Sequence, residues 1–325
     1  MSAGCFKSTL ASAAQTKRPP GQMSRAIPAM PLSPAPAAVD LSKVKTLVCE
    51  PSLPVRQGIR LALNNVGIRD ITEANTFLAA HQACKEGDHD FLVLNQEIEA
   101  NDSTFIMREL RSGALGRDPF ILTVMLLSSR EEPKVRSAID CGPDDLLLIP
   151  FAPDQLMNRL RILVERRKPF VVTHDYIGPD RRAAPRPGAT SATQFQVPNP
   201  VRARGTNLPR DRYDRQKQDS IVAISVERIK RLAATMDWEC NALTVSAREG
   251  RMTVESTYRS LLKLEQVAGE LSARVAKQLG HSTDTIDSLT EMCRRLKVTP
   301  NNVAFSDIET ITQTSRRISG TYTSR

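Results

Sequence analysis

Between residues 43 and 167 the chain alternates five short apolar runs with five segments whose apolar residues recur at helical spacing. The runs Phe91-Leu92-Val93-Leu94 and Leu146-Leu147-Leu148-Ile149 are apolar at every position, so they need cover on both faces. Strands of that kind, joined through helices, pair in parallel because each helix returns the chain to the end it left. The pattern predicts an α/β unit, a five-stranded parallel doubly wound sheet, followed by a separate all-α region.

The expected strands are 45–49, 68–72, 91–94, 120–127 and 146–149. Helices are expected over 55–66, 76–86, from a cap at Asp102 or Ser103 to 111, over 132–141, and over 153–164. Val55, Ile59, Leu63 and Val66 mark the buried stripe of the first helix, and Gly67 stops it. Phe105, Ile106 and Leu110 are expected to turn the third helix toward the sheet.

Outside that unit the chain changes character. Residues 1–42 are rich in Ala, Ser and Pro, with little to bury, and predict a disordered tail. Residues 168–219 predict a basic linker containing Pro and Gly, whose first part, 170–182, mixes a short strand-like run with a turn and is expected to pack back on the domain. From Arg181 to Lys217 it carries nine Arg or Lys against two Asp, a local net of +7. Residues 220–325 return to helical patterning. Leu261, Leu264, Ala268, Leu271, Val275 and Leu279 recur at spacings of three and four, the seam of a coiled coil, a helical hairpin or a homodimer. A four-helix bundle and a hairpin completed in a dimer both fit the pattern. Trp238 and Tyr258 are expected in the core of this region.

The 325 residues carry a formal net charge of +9, which favours acidic partners without choosing among them. None of the six cysteines lies two to four residues from another, and four scattered histidines add no ligand cluster, so no metal or cofactor is expected. Unpaired thiols fit a reducing compartment, and neither a long apolar segment nor a signal-like N-terminus is visible; the expected location is cytoplasmic, with no transmembrane segment.

Three stretches carry a resemblance. Glu50-Pro51 ends the first strand, Leu92-Val93-Leu94-Asn95 ends the third, and Ala138-Ile139-Asp140-Cys141-Gly142-Pro143-Asp144-Asp145 leads through the fifth strand to Pro150-Phe151. In order and spacing they resemble the response-regulator receiver (CheY-like) domains of bacterial two-component signalling, over about 40% of the chain. The resemblance implies a flavodoxin-like sheet of receiver type. It also implies an aspartate that takes a phosphoryl group with the help of a divalent ion, two acids on the first strand, a Ser or Thr after the fourth, and a Lys before Pro-Phe.

Residue by residue, that pocket is degenerate. Glu50 keeps one acid, but Pro51 stands in place of its neighbour. Asn95 stands where the acceptor aspartate belongs, and an amide has no charge with which to attack phosphorus. Ile149 replaces the lysine and Leu146 the aromatic switch residue. A hydroxyl survives only as Ser128, although a gap-free count from Ile149 lands on Leu127. Glu97 is a conceivable extra ligand. Magnesium usually recruits several oxygen ligands, and little of that set is left.

The expectation is a phosphorylation-independent signalling adaptor or regulator that is not an enzyme and acts through a protein partner such as a kinase or another regulator. Leu146, Arg159, Arg161 and Arg166 mark the surface through which receivers commonly pair. Two alternatives stand beside it: a basic nucleic-acid-associated regulator using the linker arginines, and a conventional phosphorelay receiver with an atypical pocket. Nucleic acid is the less favoured partner, because Phe195 and Tyr213 are the only rings in the basic stretch that offer stacking. His281, just after Gly280, is read as a surface or capping residue.

Overall fold

The computed structural model describes residues 39–182 and 193–323; the expected tail therefore lies outside the described residues as far as residue 38. The α/β unit runs β1 (Lys45–Cys49), α1 (Leu53–Asn65), β2 (Asp70–Ala74), α2 (Phe77–Glu86) and β3 (Phe91–Asn95). A small hairpin follows, β4 (Glu97–Ile98) and β5 (Asn101–Asp102), then α3 (Thr104–Ser112), β6 (Leu122–Leu127), α4 (Glu132–Asp140), β7 (Asp145–Leu148) and α5 (Pro153–Glu165). The sheet order is β2-β1-β3-β6-β7, and every pair is parallel.

Alternate side chains divide the core between the two faces of the sheet. Val48, Val93 and Leu126 meet Ile59 and Leu63 of α1 and Leu156 and Leu160 of α5. Leu47, Leu94 and Met125 meet Ala80 of α2, Ile106 and Leu110 of α3, and Ala138 of α4. Local signals set the helix ends. Thr76 caps α2 by accepting from the Ala79 amide, and Gly113 ends α3 at φ 74°, where a side chain would be strained. Phe105 departs from expectation: it stands 55% exposed on the side of α3 away from the sheet.

Residues 168–219, expected to be a linker, are largely built into the fold. They form a three-stranded antiparallel sheet of β8 (Phe170–Val172), β9 (Ile177–Pro179) and β10 (Gln194–Phe195), a short helix α6 (Pro200–Gly205), and the start of α7 (Arg210–Arg248). The anchor is a buried ionic triad. Asp144 accepts from Arg111 at 2.9 Å and from Arg167 at 2.7 and 3.0 Å, while both guanidiniums lie over the Phe170 ring. Arg111 also donates to the carbonyls of Pro119, Ile121 and Gly142, so this buried cation has partners on all three of its nitrogens. No apolar periodicity announces such an anchor.

Four helices close the chain: α7, α8 (Val254–Leu279), α9 (Asp284–Val298) and α10 (Phe305–Thr323). Thr253 caps α8 through the Ser256 amide, and Gly280 ends it in the left-handed region at φ 61°. The residues of the expected seam pack against the neighbouring helices of the same chain, as in the four-helix alternative. Leu261, Leu264, Ala268, Leu271 and Val275 are fully buried against residues such as Leu232, Met236, Leu289 and Ile311 of the neighbouring helices, with Leu279 partly buried at the end. The bundle consumes the seam within one chain. Trp238 and Tyr258, expected in that core, are 65% and 44% exposed; the interhelical space is filled by aliphatic side chains.

Candidate functional site

In a sheet of this order the chain winds outward in opposite directions from β1 and β3, which opens a crevice at their carboxyl ends. Glu50 follows β1 there and Asn95 ends β3, and both are buried. The Asn95 amide Nδ2 donates to Glu50 Oε2 at 2.7 Å. The other carboxylate oxygen accepts from the Ser52 amide at 2.8 Å, and Asn95 Oδ1 accepts from the Glu97 amide at 3.0 Å. Both side chains are thereby spent on each other and on the loops around them.

A further cation closes the crevice from the α1 side. Arg56 Nη1 donates to the carbonyl oxygens of Glu50 at 2.8 Å and Pro51 at 2.9 Å, and its Nε faces Glu73. Sequence reasoning missed it, because nothing in Val55-Arg56-Gln57 distinguishes this arginine from a solvated one. Glu97 pairs with Lys134 at 3.1 Å, and that hydrogen bond holds the Lys134 ammonium above its ordinary value. Ser128 is exposed one residue beyond β6, whose last residue is the buried Leu127. Ile149 packs against the apolar core.

These residues do not fit the magnesium that a receiver pocket implies. Glu50 supplies one carboxylate with both oxygens already accepting hydrogen bonds, Pro51 and Asn95 add no charge, and Glu97 is turned to Lys134. Among the described residues no cluster of three His, Cys, Asp or Glu side chains is placed to hold a metal ion. The arrangement holds two loops together.

On the surface flanking β7, Leu146 is half-buried and Arg159 is engaged within the domain by Asp145 at 2.6 Å. Arg161 and Arg166 are exposed.

A second polar constellation lies at the opposite, amino end of the strands. Asp88, Asp90 and Asp118 precede β3 and β6 and receive Arg204, Arg210 and Tyr213 from the helical half of the chain. Burial opposes charge on Asp88, yet Arg210, Arg204 and Lys45 together hold its carboxyl below the ordinary range. Burial pushes the deeper Asp90 up, and Arg204 offsets only part of that. Of the basic residues expected to form a free tether, Arg181, Arg182, Arg204, Arg210, Arg215 and Lys217 all have carboxylate partners within the chain. Arg186 lies outside the described residues.

No family model matches the chain. A stretch of 130 residues, 39% of the chain, is 26% identical to the phosphate regulon transcriptional regulatory protein PhoB of Escherichia coli (strain K12), covering 55% of that protein. A stretch of 127 residues is 32% identical to the response regulator MprA of Mycobacterium leprae, covering 39% of this chain and 53% of that protein. The chain thus spans about half the length of the curated relatives it matches. A solved Francisella response regulator 1452 receiver domain is 24% identical over 38% of this chain and 98% of its own, with a TM-score of 0.34. About two fifths of the chain is similar to response regulators, and its five-stranded parallel sheet has the receiver-type order. Among the described residues no helix is long and apolar enough to cross a membrane.

Proposed function

We propose that the chain is a signalling adaptor of the two-component kind that works without phosphoryl transfer and acts by binding protein partners. The observation that carries this is the Asn95–Glu50 hydrogen bond, 2.7 Å long and buried where an acceptor carboxylate would need to be free. Acyl phosphate formation needs a nucleophilic carboxylate and enough positive charge to balance the transferring oxygens. This crevice offers an amide beside a carboxylate, the opposite electrostatics. The helical half is tied to the other end of the sheet by ion pairs, so this attachment does not run through the crevice. That division suits a scaffold whose partner-binding surfaces, including the one around Leu146, Arg161 and Arg166, are permanently formed.

The test is incubation of the full chain with acetyl phosphate and magnesium, followed by trapping and mass spectrometry. No acyl phosphate is expected at residues 95–102. A stoichiometric acid-stable or hydroxylamine-labile phosphoryl group there would overturn the proposal.

A further inference from the structure

Where α3 and α4 end, the α/β unit and the α7–α8 pair leave between them a cleft of about 730 Å³. One wall comes from α3 and the loop after it, the other from α7 and α8, and β9 contributes to the floor. Pockets that take small organic ligands are commonly of this size and lie between packed units.

The charge on the walls is not balanced. Two of the lining acids are neutralised, Asp140 by Arg181 and Glu270 by Arg228 and Arg274, while Glu109 and Asp175 face His81 and His174, which offset them only when protonated. Three lining cations, Arg108 and Arg117 on one wall and Lys277 on the other, have no carboxylate within ion-pair distance among the described residues. Between them the lining mixes polar side chains such as Gln218, Ser225 and Gln278 with apolar ones. Phe105, the ring that turns away from the sheet, stands exposed at this cleft, and Phe120, Ile221 and Ile224 line it further in.

We propose that this cleft is a binding site for a nucleotide. Its phosphates pair with Arg108, Arg117 and Lys277, and its base lies against the apolar lining beside Phe105. Two guanidinium forks and an ammonium match the several oxygens of a phosphate chain better than a single carboxylate. A flat ring of modest polarity suits the exposed face of Phe105. Because the cations stand on both walls, an occupant bridges the α/β unit and the helical bundle and stabilises their packing through linkage. The proposal is independent of the Asn95 crevice, since neither Glu50 nor Asn95 lines the cleft.

Isothermal titration calorimetry of the full chain with ATP, GTP and, separately, pyrophosphate tests it. At least one nucleotide is expected to bind saturably near one per chain, to raise the melting temperature, and to bind more tightly than pyrophosphate. The triple variant R108Q/R117Q/K277Q changes only exposed side chains and should weaken that nucleotide by at least about tenfold. Ala273→Trp, at an exposed lining position on α8, should block the cleft and abolish binding without lowering the melting temperature. Absence of saturable binding by both nucleotides would overturn the proposal. So would pyrophosphate binding as tightly as the nucleotide, or unchanged affinity in either variant.

Discussion

Arg204 grips Asp90 through Nε at 3.0 Å and Nη2 at 3.1 Å, across 114 residues of sequence. The pair joins the segment before the helical bundle to the amino end of the sheet's central strand. Removing the guanidinium leaves a largely buried carboxylate without its counter-ion. Arg204→Gln is expected to destabilise the chain by about 2–3 kcal/mol at neutral pH, measured by denaturant unfolding. The loss should be smaller at acidic than at neutral pH, because the buried, unpaired Asp90 then takes up a proton instead of remaining charged. An equal loss at both pH values would place the effect elsewhere.

Glu270 links α8 to α7 by a bidentate pair with Arg228, both contacts at 2.9 Å, and Arg228 also donates to the Thr173 carbonyl. Burial pushes the Glu270 carboxyl up, but Arg228 and Arg274 outweigh it and hold it below its ordinary value. A carboxyl depressed on folding adds stability above its unfolded value, and that stability disappears as pH falls through the folded value. Glu270→Gln should therefore cost about 1–2 kcal/mol at neutral pH and progressively less below about pH 4.5. Parallel stability–pH curves for the two proteins would count against this.

The alternation of apolar runs made the parallel sheet legible, because a strand buried on both faces has little freedom of composition. β2 is the exception. It was expected at 68–72 and lies at Asp70–Ala74, since at this edge only Ala74 is buried and the apolar signal is weak. The crevice was legible in Glu50 and Asn95, which sit next to each other as their motif positions required. Arg56 and the acid–arginine clamps were not. Each joins residues whose local sequence looks solvated, and only the folded path brings them together. The short strands β8 and β9 were legible as a strand-like run with a turn at 170–182, but their anchoring by Arg167, Asp144 and Phe170 was not, because no periodic stripe marks it.

The seam of α8 is satisfied within one chain. Leu264→Ala should lower stability by about 2–5 kcal/mol, since a fully buried leucine leaves a cavity behind. The drop in melting temperature should be the same at low and high protein concentration. A drop that vanishes at high concentration would mean the seam also serves an interface between copies.

Trp238, the chain's single tryptophan, sits 65% exposed with the Lys263 ammonium 5.8 Å from its ring centre. Its fluorescence should be red-shifted in the native state and readily quenched by acrylamide, with little further shift on unfolding. A blue-shifted, protected native emission would contradict that placement.

The same crevice makes a stability prediction for Asn95→Asp. The substitution removes the donor to Glu50 and sets two carboxylates within about 3 Å, which raises the proton affinity of the pair. The variant should be less stable than the parent by about 1–3 kcal/mol at pH 7 and recover as pH falls, because the folded pair then holds a proton that the unfolded chain has released. A variant as stable as the parent at pH 7 would mean that the two loops do not depend on the amide.

The most direct measurement is phosphoryl trapping on Asn95→Asp after incubation with acetyl phosphate and magnesium. With Pro51 in place of a second acid and Ile149 in place of a lysine, restoring the acceptor alone should yield no stable acyl phosphate at residue 95. Stoichiometric phosphorylation of that single variant would contradict the account, because it would show a crevice still equipped for the chemistry.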